Sequence, residues 1–394
     1  MRSICILWLS VTQFISSTDV SPVTIPSASP NPALERSESP SSKRPRLSLK
    51  SDSRRFRRKR TKSSQSLRSV RNADNSSRSD ASVGQIGLVG ISNMGNTCYL
   101  SSILQMTSHL HSLTEFVSSV VPRLNFTTEA LPDNLRPYHD LLFAYMDIID
   151  GMWTPQSEPI VPEDLFSALQ GVTGGAKYEI GVQQDAEEVL SDLINSLNDG
   201  FNAMVPTIPS DSFVNLFKVH FINQNKCTVC SSIVPHRESS IILWLSLFKS
   251  SRIVSLEELL RLSYTSEQVI EDVACDSCHV RHNAVSQTII VDPLPAFLLI
   301  GLKRFEWSKE TTCRRKVSTK VSIPSNLSLT TNGLYELSGL ILHHGTRMYS
   351  GHYTAQFFND KSWINANDDQ LEILPNIVEQ QSQDAYIIAY KRVY

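Results

Sequence analysis

In the stretch GLVGISNMGNTCYLSSILQ, residues 87–105, Cys98 lies between a loop of small polar residues and a series of regularly spaced apolar residues. The loop before Cys98 supplies a flexible glycine, Gly95, and an Asn or Thr helix cap. The apolar residues that follow are Leu100, Ile103, Leu104 and Met106. Their spacing predicts a helix with one buried face. A helix N-terminus favours the thiolate form of a cysteine, so Cys98 is a candidate nucleophile; the alternative is a small apolar core residue.

A base for such a nucleophile is available near the end of the chain. In SGHYTAQFFNDKSWINANDD, residues 350–369, His352 lies at the start of a predicted strand, and Asn367 and Asp368 follow on the next strand or turn. A hairpin would bring Asn367 beside His352, where it would hold the imidazole in the required tautomer. A lone histidine in a strand is more often structural. The combination with Cys98 is what favours nucleophilic catalysis.

The remaining patterns predict an α+β fold. QQDAEEVLSDLINSLND, residues 183–199, has the apolar stripe of a helix, and Asp185 with Glu188 resembles an Asp version of the capping box. From Phe213 onward β-type runs dominate, among them FKVHFIN, SSIILWLSL, AFLLIGLKRFEW and DAYIIAYKRV, with SLEELLRLSY as a short helix between them. Helices first and an antiparallel sheet later is the α+β pattern.

The N-terminal part of the 394-residue chain differs from the rest in charge and composition. Residues 1–80 contain 16 Lys and Arg against 6 Asp and Glu, whereas the remainder contains 21 against 33. Residues 19–84 are rich in Ser, Pro and Arg, and their few large apolar side chains cannot offset the entropy cost of ordering. We therefore expect a disordered basic N-terminal region, 1–84, followed by one globular domain, 85–394.

Two basic clusters in the N-terminal region, Lys43–Arg46 and Arg54–Arg60, predict a nuclear-import address. A solvated basic tail and an electrostatic nucleic-acid contact are the alternatives, and nothing beyond this tail indicates nucleic-acid binding. Residues 1–17 resemble a signal peptide, but polar residues interrupt the apolar run and no clear cleavage site ends it. No segment approaches the ~20 continuous apolar residues of a membrane span. The expected location is the nucleus, with the cytoplasm as the alternative, and no membrane partner is expected.

The cysteines indicate a metal site rather than a disulfide framework. The seven are Cys5, Cys98, Cys227, Cys230, Cys275, Cys278 and Cys313. Four of them form two Cys-x-x-Cys pairs, Cys227 with Cys230 and Cys275 with Cys278, with 44 residues between the pairs. Four thiolates make a closed tetrahedral Zn²⁺ site, so we expect one structural zinc ion and a hairpin-like excursion between the pairs. Reduced pairs without a metal are the alternative, and no organic cofactor is expected.

Together these motifs resemble those of the ubiquitin-specific proteases, the papain-like deubiquitinating enzymes. GLVGISNMGNTCYLSSILQ resembles their Cys box, GVQQDAEEVLSDLI their second box, and LLIGLKRF the strand before their catalytic His region. LILHHGTRMYSGHYTA, WINANDD and DAYIIAYKR resemble the His box and its closing strand. The resemblance covers residues 85–394, in the family's order, and includes the position of the zinc-bearing Cys pairs. It implies a thumb, a palm and zinc-bearing fingers, with the C-terminal tail of ubiquitin threaded between thumb and palm.

The resemblance also implies roles for individual residues. Cys98 matches the nucleophile, His352 the general base, and Asn367 the third catalytic position, which is Asp or Asn in the family. Asn93 matches the side chain that donates to the oxyanion. Because Asn367 is neutral, Asp368 is a candidate to share its role, and which of the two polarises His352 stays open at this point.

For the substrate, Asp185 and Glu188 match the acidic positions that hold the arginine-containing tail of ubiquitin, since a basic tail needs carboxylates along its channel. That both residues only cap their helix is the alternative, and the two roles are compatible. Tyr353 is a further candidate substrate-binding residue. Ala366 departs from the family, which usually has a bulkier residue there, and this would loosen the packing of the third catalytic position.

The implied function is a thiol-dependent deubiquitinase whose partners are ubiquitin and ubiquitinated proteins. Short fragments such as CDSCHVRHNAV and RLSLK resemble the nuclear, DNA-repair-associated branch of the family, whose activity depends on a WD40-repeat partner. The alternative is a catalytically silent ubiquitin-binding scaffold with the same fold, against which the presence of every catalytic residue type argues. The ubiquitin linkage, the target protein and a ubiquitin-like modifier as substrate are left open by the sequence.

Overall fold

The computed structural model describes residues 87–120, 131–175, 177–205, 207–308, 313–330, 333–348, 350–375 and 379–393. All of these belong to one compact unit, Ser76–Tyr394. The predicted disordered region 1–84, with its two basic clusters, lies outside the described residues. The boundary between residues 84 and 85 therefore stays a prediction.

Most helices in the described residues come from the first part of the domain, as the patterns predict. They are α1 (Cys98–Ser108), α2 (His111–Val120), α3 (Arg136–Trp153), α4 (Glu163–Val172), α5 (Ala186–Met204) and α6 (Leu256–Leu260). A 3₁₀ turn covers Val214–Leu216 and a π-helical turn covers Arg261–Thr265. None of these described helices is long and apolar enough to cross a membrane.

Helix α1 is buried on all sides, so the expectation of one buried face is wrong. Every residue from Cys98 to Ser108 is buried. Its polar side chains tolerate this because they bond to nearby carbonyl groups: the hydroxyl of Thr107 donates to Ile103 O at 2.9 Å, and Ser102 and Gln105 also donate to backbone oxygens. Hydroxyls that bond back to their own helix leave little polarity to satisfy. A helix that carries Ser and Thr on the face opposite its apolar residues can therefore be buried on both faces.

The strands described by the structure begin after α5. They are β1 (Val219–Cys227), β2 (Ile233–Ser240), β3 (Ile242–Ser246), β4 (Val254–Ser255), β5 (Gln268–Ala274), β6 (Arg281–Val291), β7 (Phe297–Lys303), β8 (Phe305–Ser308), β9 (Cys313–Lys316), β10 (Val321–Pro324), β11 (Asn326–Thr330), β12 (Gly333–Arg347), β13 (Ser350–Phe358), β14 (Trp363–Asn367), β15 (Gln370–Leu374), β16 (Glu379–Ser382) and β17 (Ala385–Arg392). Helix α6 lies between β4 and β5. The α+β prediction is confirmed.

The largest sheet has the strand order β15-β14-β13-β12-β17-β7-β3, with β11 paired to β12. Its neighbours are antiparallel except for the parallel pair β3 and β7. Strands β13 and β14 form the predicted hairpin, with Ala355 opposite Ala366. This register brings His352, near the start of β13, to the same end of the sheet as Asn367, the last residue of β14.

The main sheet is buried on both faces, which makes it a rigid support. On β7, Leu299 belongs to the core formed with the helices, whereas Leu298 and Ile300 belong to a second core on the other face. Side chains alternate between the faces of a strand, so a strand covered on both sides is a continuous apolar run. The segment FLLIGL therefore has no polar alternation.

A separate four-stranded sheet with the order β2-β1-β6-β5 carries the two Cys-x-x-Cys pairs. Cys227 ends β1, and Cys275 follows β5. The expected hairpin-like excursion between the pairs is wrong: after β2 the chain adds β3 to the main sheet and returns through α6 and β5. The intervening residues begin and end in the four-stranded sheet, with β2 and β5, and between these strands they add β3 to the main sheet and form α6.

Candidate active site

Cys98 is the first residue of α1, and its side chain is only 3% exposed. The preceding residue, Thr97, makes no side-chain capping bond. The loop is held instead by Asn93, whose Oδ1 accepts from the backbone N–H groups of Gly95 at 2.9 Å and Thr97 at 3.0 Å. Cys98 Sγ also accepts from the backbone N–H of Tyr353 at 3.4 Å. The sulfur is therefore fixed between a helix N-terminus and strand β13.

The structure brings His352 and Asn367 to Cys98. His352 Nε2 lies 2.5 Å from Asn367 Oδ1. An amide oxygen can only accept, so Nε2 carries a proton and donates it to this bond. That leaves Nδ1 for the hydrogen bond that His352 makes with Cys98. The three side chains lie together as the sequence predicts, although His352 is 15 residues from Asn367 and more than 250 residues from Cys98 along the chain.

The hydrogen bond with Cys98 raises the pKa of His352 to about 9, although burial acts in the opposite direction. The hydrogen bond with Asn367 and the negative charge of Asp368 add to the increase. Asp368 Oδ2 is 3.9 Å from His352 Nε2. An imidazole with this pKa is protonated at neutral pH, so His352 carries a positive charge beside Cys98.

Asp368 connects the histidine to the loop before the cysteine. The amide Nδ2 of Asn93 donates to Asp368 Oδ2 at 3.0 Å, and the backbone oxygen of Asp368 accepts from Ile91 N at 3.1 Å. Asp368 itself lies in the turn between β14 and β15, with a φ of 54°. The turn after Asn367 is therefore tied to the Cys98 loop through both side chain and backbone.

Gly90 allows that turn to approach. A Cβ at Gly90 would lie 2.3 Å from the backbone oxygen of Asp369, well inside the closest contact that real Cβ atoms make. Any larger residue at this position would push away the turn that carries Asp368. The glycine is thus required by a close backbone approach, which is one of the uses of this residue.

Gly351, next to His352, has the same function on the other strand. A Cβ there would lie 2.3 Å from the backbone oxygen of His344 and 2.6 Å from Nε2 of His343. His343 is fully buried, and burial lowers its pKa to about 4, so it is neutral. The position of His352 therefore depends on the close packing of β12 against β13 at Gly351.

Asp185 is buried and caps α5. Helix capping was the alternative to a role in binding the substrate tail. Asp185 Oδ1 accepts from the backbone N–H of Glu187 at 2.9 Å, and Asp185 Oδ2 accepts from the hydroxyl of Tyr386 at 2.8 Å. Tyr353 is 1% exposed, and its hydroxyl accepts from Ala186 N at 3.4 Å. Burial raises the pKa of both tyrosines above their usual range. The tail-binding roles of Asp185 and Tyr353 stay predictions.

Glu188 lies on the outer side of the same helix and is paired within the chain. Its Oε1 is 2.9 Å from Nζ of Lys177, and the same ammonium is 2.5 Å from Asp192 Oδ2. The hydroxyl of Tyr178 donates to that oxygen of Asp192, also at 2.5 Å. These four side chains form the Lys177 cluster.

The segment between α4 and α5 also touches both sides of the site. Gly181 N donates to Gly95 O at 2.9 Å, and Asn96 Nδ2 donates to Gly181 O at 2.6 Å. On the other side, the backbone N–H of Gly351 donates to Oε1 of Gln183 at 3.1 Å. This segment is therefore bonded to the cysteine loop and to strand β13 at once.

The Cys-x-x-Cys pairs come together in the four-stranded sheet, as predicted. Cys227 Sγ lies 3.9 Å from Cys278 Sγ, and Cys230 Sγ lies 3.7 Å from Cys275 Sγ. Sulfurs on a tetrahedral zinc ion, with Zn–S of about 2.3 Å, are about 3.8 Å apart. The donor set therefore fits a metal ion.

A fifth donor, His282, was missed by the sequence reasoning. Its Nε2 lies 3.0 Å from Cys227 Sγ, and the ligand atoms of Cys227, Cys275, Cys278 and His282 all lie within 4.8 Å of one another. The available signal was its position four residues after Cys278. Cys230 is not part of this compact group, although its Sγ lies 3.7 Å from Cys275 Sγ, so Cys230 and His282 are the two candidates for the fourth ligand.

Three more residues of the site were not found from the sequence. Lys177, Gln183 and Tyr386 carry no local motif of their own, because each acts through a partner more than ten residues away. Gln183 and Tyr386 lie in stretches singled out for their patterns, but there the patterns indicated a helix and a strand rather than these side chains, and Lys177 lies in neither stretch.

Most of the chain matches a known protein family. Residues 89–390 match the family model described as "Ubiquitin carboxyl-terminal hydrolase". Among curated relatives, ubiquitin carboxyl-terminal hydrolase 44 of Danio rerio is 25% identical, over 76% of this chain and 55% of its own length. Ubiquitin carboxyl-terminal hydrolase 3 of Homo sapiens is 24% identical, over 76% of this chain and 66% of its own length. The chain spans about half to two thirds of the length of these relatives.

A solved structure shares the fold. The SAGA Ubp8/Sgf11/Sus1/Sgf73 DUB module bound to ubiquitin aldehyde aligns with a TM-score of 0.65 and 22% identity. The alignment covers 80% of this chain and 71% of that chain. This likeness supports the papain-like fold expected from the sequence, with helices on one side of a large sheet and a separate cysteine-bearing sheet.

Proposed function

Because the chain belongs to the ubiquitin carboxyl-terminal hydrolase family, we propose that it is a cysteine-type deubiquitinase. Its reaction is hydrolysis of the bond after the C-terminal glycine of ubiquitin on modified proteins. The observation that carries the proposal is the hydrogen-bonded set of Cys98, His352 and Asn367 at the N-terminus of a buried helix. A nucleophile, a base and a group that orients the base are the parts that thiol-dependent acyl transfer requires.

In the first step the Cys98 proton rests on His352, and the thiolate attacks the carbonyl carbon of the terminal glycine. The electrons of the C=O bond move to the oxygen, which becomes a tetrahedral oxyanion. Asn93 Nδ2 and backbone N–H groups at the start of α1 donate to it. In the free chain this amide donates to Asp368, which fixes the direction of the donor before substrate arrives. Preorganised donors of this kind contribute a factor of about 10²–10³ in rate each.

In the second step the oxyanion collapses and the carbon–nitrogen bond breaks. His352 transfers its proton to the departing lysine amine, which leaves a thioester between Cys98 and ubiquitin. The neutral imidazole then takes a proton from water, and the resulting hydroxide attacks the thioester. The sulfur leaves as thiolate, ubiquitin leaves as a carboxylic acid that loses its proton to solvent, and the proton on His352 restores the starting pair.

The two residues after Ala366 divide the work of the third catalytic position. Asn367 accepts from His352 Nε2 and sets the tautomer. Asp368 supplies negative charge at 3.9 Å from the same nitrogen and binds Asn93. Ala366 is buried and paired with Ala355 on β13, so its small size is accommodated in the hairpin. A neutral Asn is therefore sufficient as orienting group, because the charge comes from the next residue.

We assign the channel for the basic ubiquitin tail to the start of α5. Asp185 is held by Tyr386 and the helix start, so its negative charge has a fixed position. Glu188 and Asp192 extend the acidic line along the helix surface. Carboxylates at fixed positions suit bidentate recognition of arginine.

The cysteine cluster is proposed to hold a structural Zn²⁺ through Cys227, Cys230, Cys275 and Cys278, with sulfur–sulfur distances of 3.9 and 3.7 Å in support. When bound, the ion would crosslink β1 to the turn between β5 and β6. His282 would donate to Cys227 from outside the coordination shell, as second-shell groups commonly do. A closed set of four ligands leaves no position for catalysis.

Compartment and partners are further parts of the proposal. Nuclear location is supported by the basic clusters Lys43–Arg46 and Arg54–Arg60. Ubiquitin and ubiquitinated proteins are the proposed substrates. Activation by a WD40-repeat partner, and a link to DNA damage, rest on the resemblance of short fragments to the DNA-repair-associated branch. Comparing activity of the purified chain with and without nuclear extract tests the need for an activator.

The activity is tested with ubiquitin carrying a C-terminal fluorogenic amide. The chain should release the fluorophore, Cys98→Ala should release none, and Lys361→Met, in the turn between β13 and β14, should match the wild type. Binding of ubiquitin without turnover, with nuclear extract present, would contradict the proposal and favour the silent scaffold.

A further inference from the structure

A lysine of the chain occupies the position expected for a positive charge of the substrate. Lys177 lies in the segment between α4 and α5, outside every motif discussed for the sequence. Its ammonium contacts two carboxylates of α5, Glu188 at 2.9 Å and Asp192 at 2.5 Å. Glu188 is one of the two residues, with Asp185, that the family resemblance assigns to the arginine-containing tail. The free protein therefore already has a cation on its proposed cation site.

The backbone around Lys177 is anchored while its side chain is accessible. The next residue, Tyr178, is 1% exposed, and its hydroxyl donates to the same Asp192 oxygen that Lys177 contacts. The Lys177 side chain is 34% exposed, and Glu188 is 51% exposed. Tyr178 can thus keep the segment and Asp192 in position after the ammonium has left. The ion pair is removable without rearranging the helix.

We propose that Lys177 is an internal competitor for the substrate tail: its ammonium covers Glu188 and Asp192 in the free protein and leaves when an arginine of the tail binds. This inference rests on the proposed function, because the tail is that of ubiquitin. It assigns to Lys177 a role in substrate specificity that does not involve the reacting atoms.

The type of cation explains how the competitor can be displaced. A lysine ammonium is a compact, strongly hydrated charge, whereas a guanidinium donates in parallel to both oxygens of one carboxylate. Arginine therefore replaces lysine on a carboxylate with a net gain. A tail with no cation gains nothing by displacing Lys177, and the acidic surface stays covered. Lys177 thereby prevents Glu188 and Asp192 from binding tails or peptides that lack arginine.

The size of the effect follows from the exposure of the pair. An exposed ion pair typically changes an equilibrium constant about two- to fivefold. With two carboxylates to release, removal of the lysine charge should tighten binding about three- to tenfold. The difference should shrink as salt is added, because exposed charges are screened.

The test compares dissociation constants in the Cys98→Ala background, which binds but does not turn over. Binding of ubiquitin, and of ubiquitin whose tail arginines are replaced by alanine, is measured by titration with and without Lys177→Met. The expected result is three- to tenfold tighter binding of wild-type ubiquitin and unchanged binding of the alanine-tail form. Lys177→Arg, which keeps a cation, should give no gain, and Lys361→Met serves as the matched control.

The outcomes separate this inference from the proposed function. If Lys177→Met leaves the affinity for wild-type ubiquitin unchanged or weakens it, Lys177 is no competitor and instead braces the helix. Equal tightening for both tails also overturns the proposal, because the effect would not involve arginine. Hydrolysis by the chain with Cys98 intact is measured independently. Loss of hydrolysis alone refutes the proposed enzyme activity, whereas an unchanged preference for the arginine-containing tail refutes only the role of Lys177 as a competitor.

Discussion

Replacement of Gly351 by alanine should impair catalysis while leaving the fold intact. The new Cβ would lie 2.3 Å from His344 O and 2.6 Å from His343 Nε2. Reaching the 3.4 Å of an ordinary contact requires the two strands to separate by about 1 Å at this point. His352 is the next residue and moves with the strand. A misplacement of about 1 Å in a catalytic group costs on the order of 10² in rate, so kcat should fall about 100-fold.

The assay is steady-state hydrolysis of a ubiquitin C-terminal fluorogenic amide, with thermal unfolding as the measure of folding. Gly171→Ala is the matched control, because its Cβ would meet only Pro137 Cβ at 3.9 Å on the exposed side of α4. That variant should keep wild-type kcat and gain up to about 1 kcal/mol, since alanine is the better helix former. A folded Gly351→Ala protein with kcat within twofold of wild type would refute the claim that this close approach positions His352.

Three further predictions address the charge, the oxyanion and the metal. Cys98→Ala should lower the pKa of His352 from about 9 towards its ordinary value, because the hydrogen bond with Cys98 is the largest cause of the increase; NMR titration of the imidazole measures it. Because the pKa is raised in the folded chain, His352 stabilises the fold fully below about pH 6.5, and this contribution is lost as pH rises through about 9. An unchanged imidazole titration in Cys98→Ala would contradict the assigned cause. Asn93→Ala should reduce kcat by about 10²–10³ with little change in KM, if the amide donates to the oxyanion. Cys230→Ser should abolish stoichiometric zinc by elemental analysis, whereas His282→Ala should retain the ion with about 10- to 100-fold weaker affinity; the reverse pattern would assign the fourth ligand to His282.

The hairpin of β13 and β14 was predictable because its signal is local. In SGHYTAQFFNDKSWINAN the apolar runs set the strand lengths, and two antiparallel strands of known register fix which residues meet. The juxtaposition of His352 and Asn367 follows from that geometry. The contact with Cys98 does not, because it depends on how α1 packs against the sheet. For that contact the family resemblance supplied what periodicity could not.

The burial of α1 shows a limit of pattern reasoning. The apolar spacing predicted one buried face, yet the polar residues Ser102, Gln105 and Thr107 are buried as well. Each of them donates to a backbone carbonyl within reach, so their donor groups are satisfied without water. Composition alone does not distinguish a solvated polar face from one that bonds back to the backbone.

Ion pairs between distant residues and the additional metal-ligand candidate could not be predicted from the sequence either. Lys177 lies 11 residues before Glu188, and nothing in the intervening segment indicates that it turns back onto the helix. His282 differs, since its spacing from Cys278 resembles that of a ligand, but the complete set of four cysteines gave no reason to search for a fifth donor. Residues that act through partners in other elements become visible only when the elements are packed.

The most direct test of the account is covalent labelling by ubiquitin that carries a C-terminal alkyne electrophile. The purified chain should gain the mass of one ubiquitin, and Cys98→Ala should gain none. That result would identify Cys98 as the nucleophile and ubiquitin as its ligand. Absence of the adduct in the wild-type chain, with nuclear extract present to supply any activator, would contradict the assignment of Cys98 as the nucleophile of a deubiquitinase.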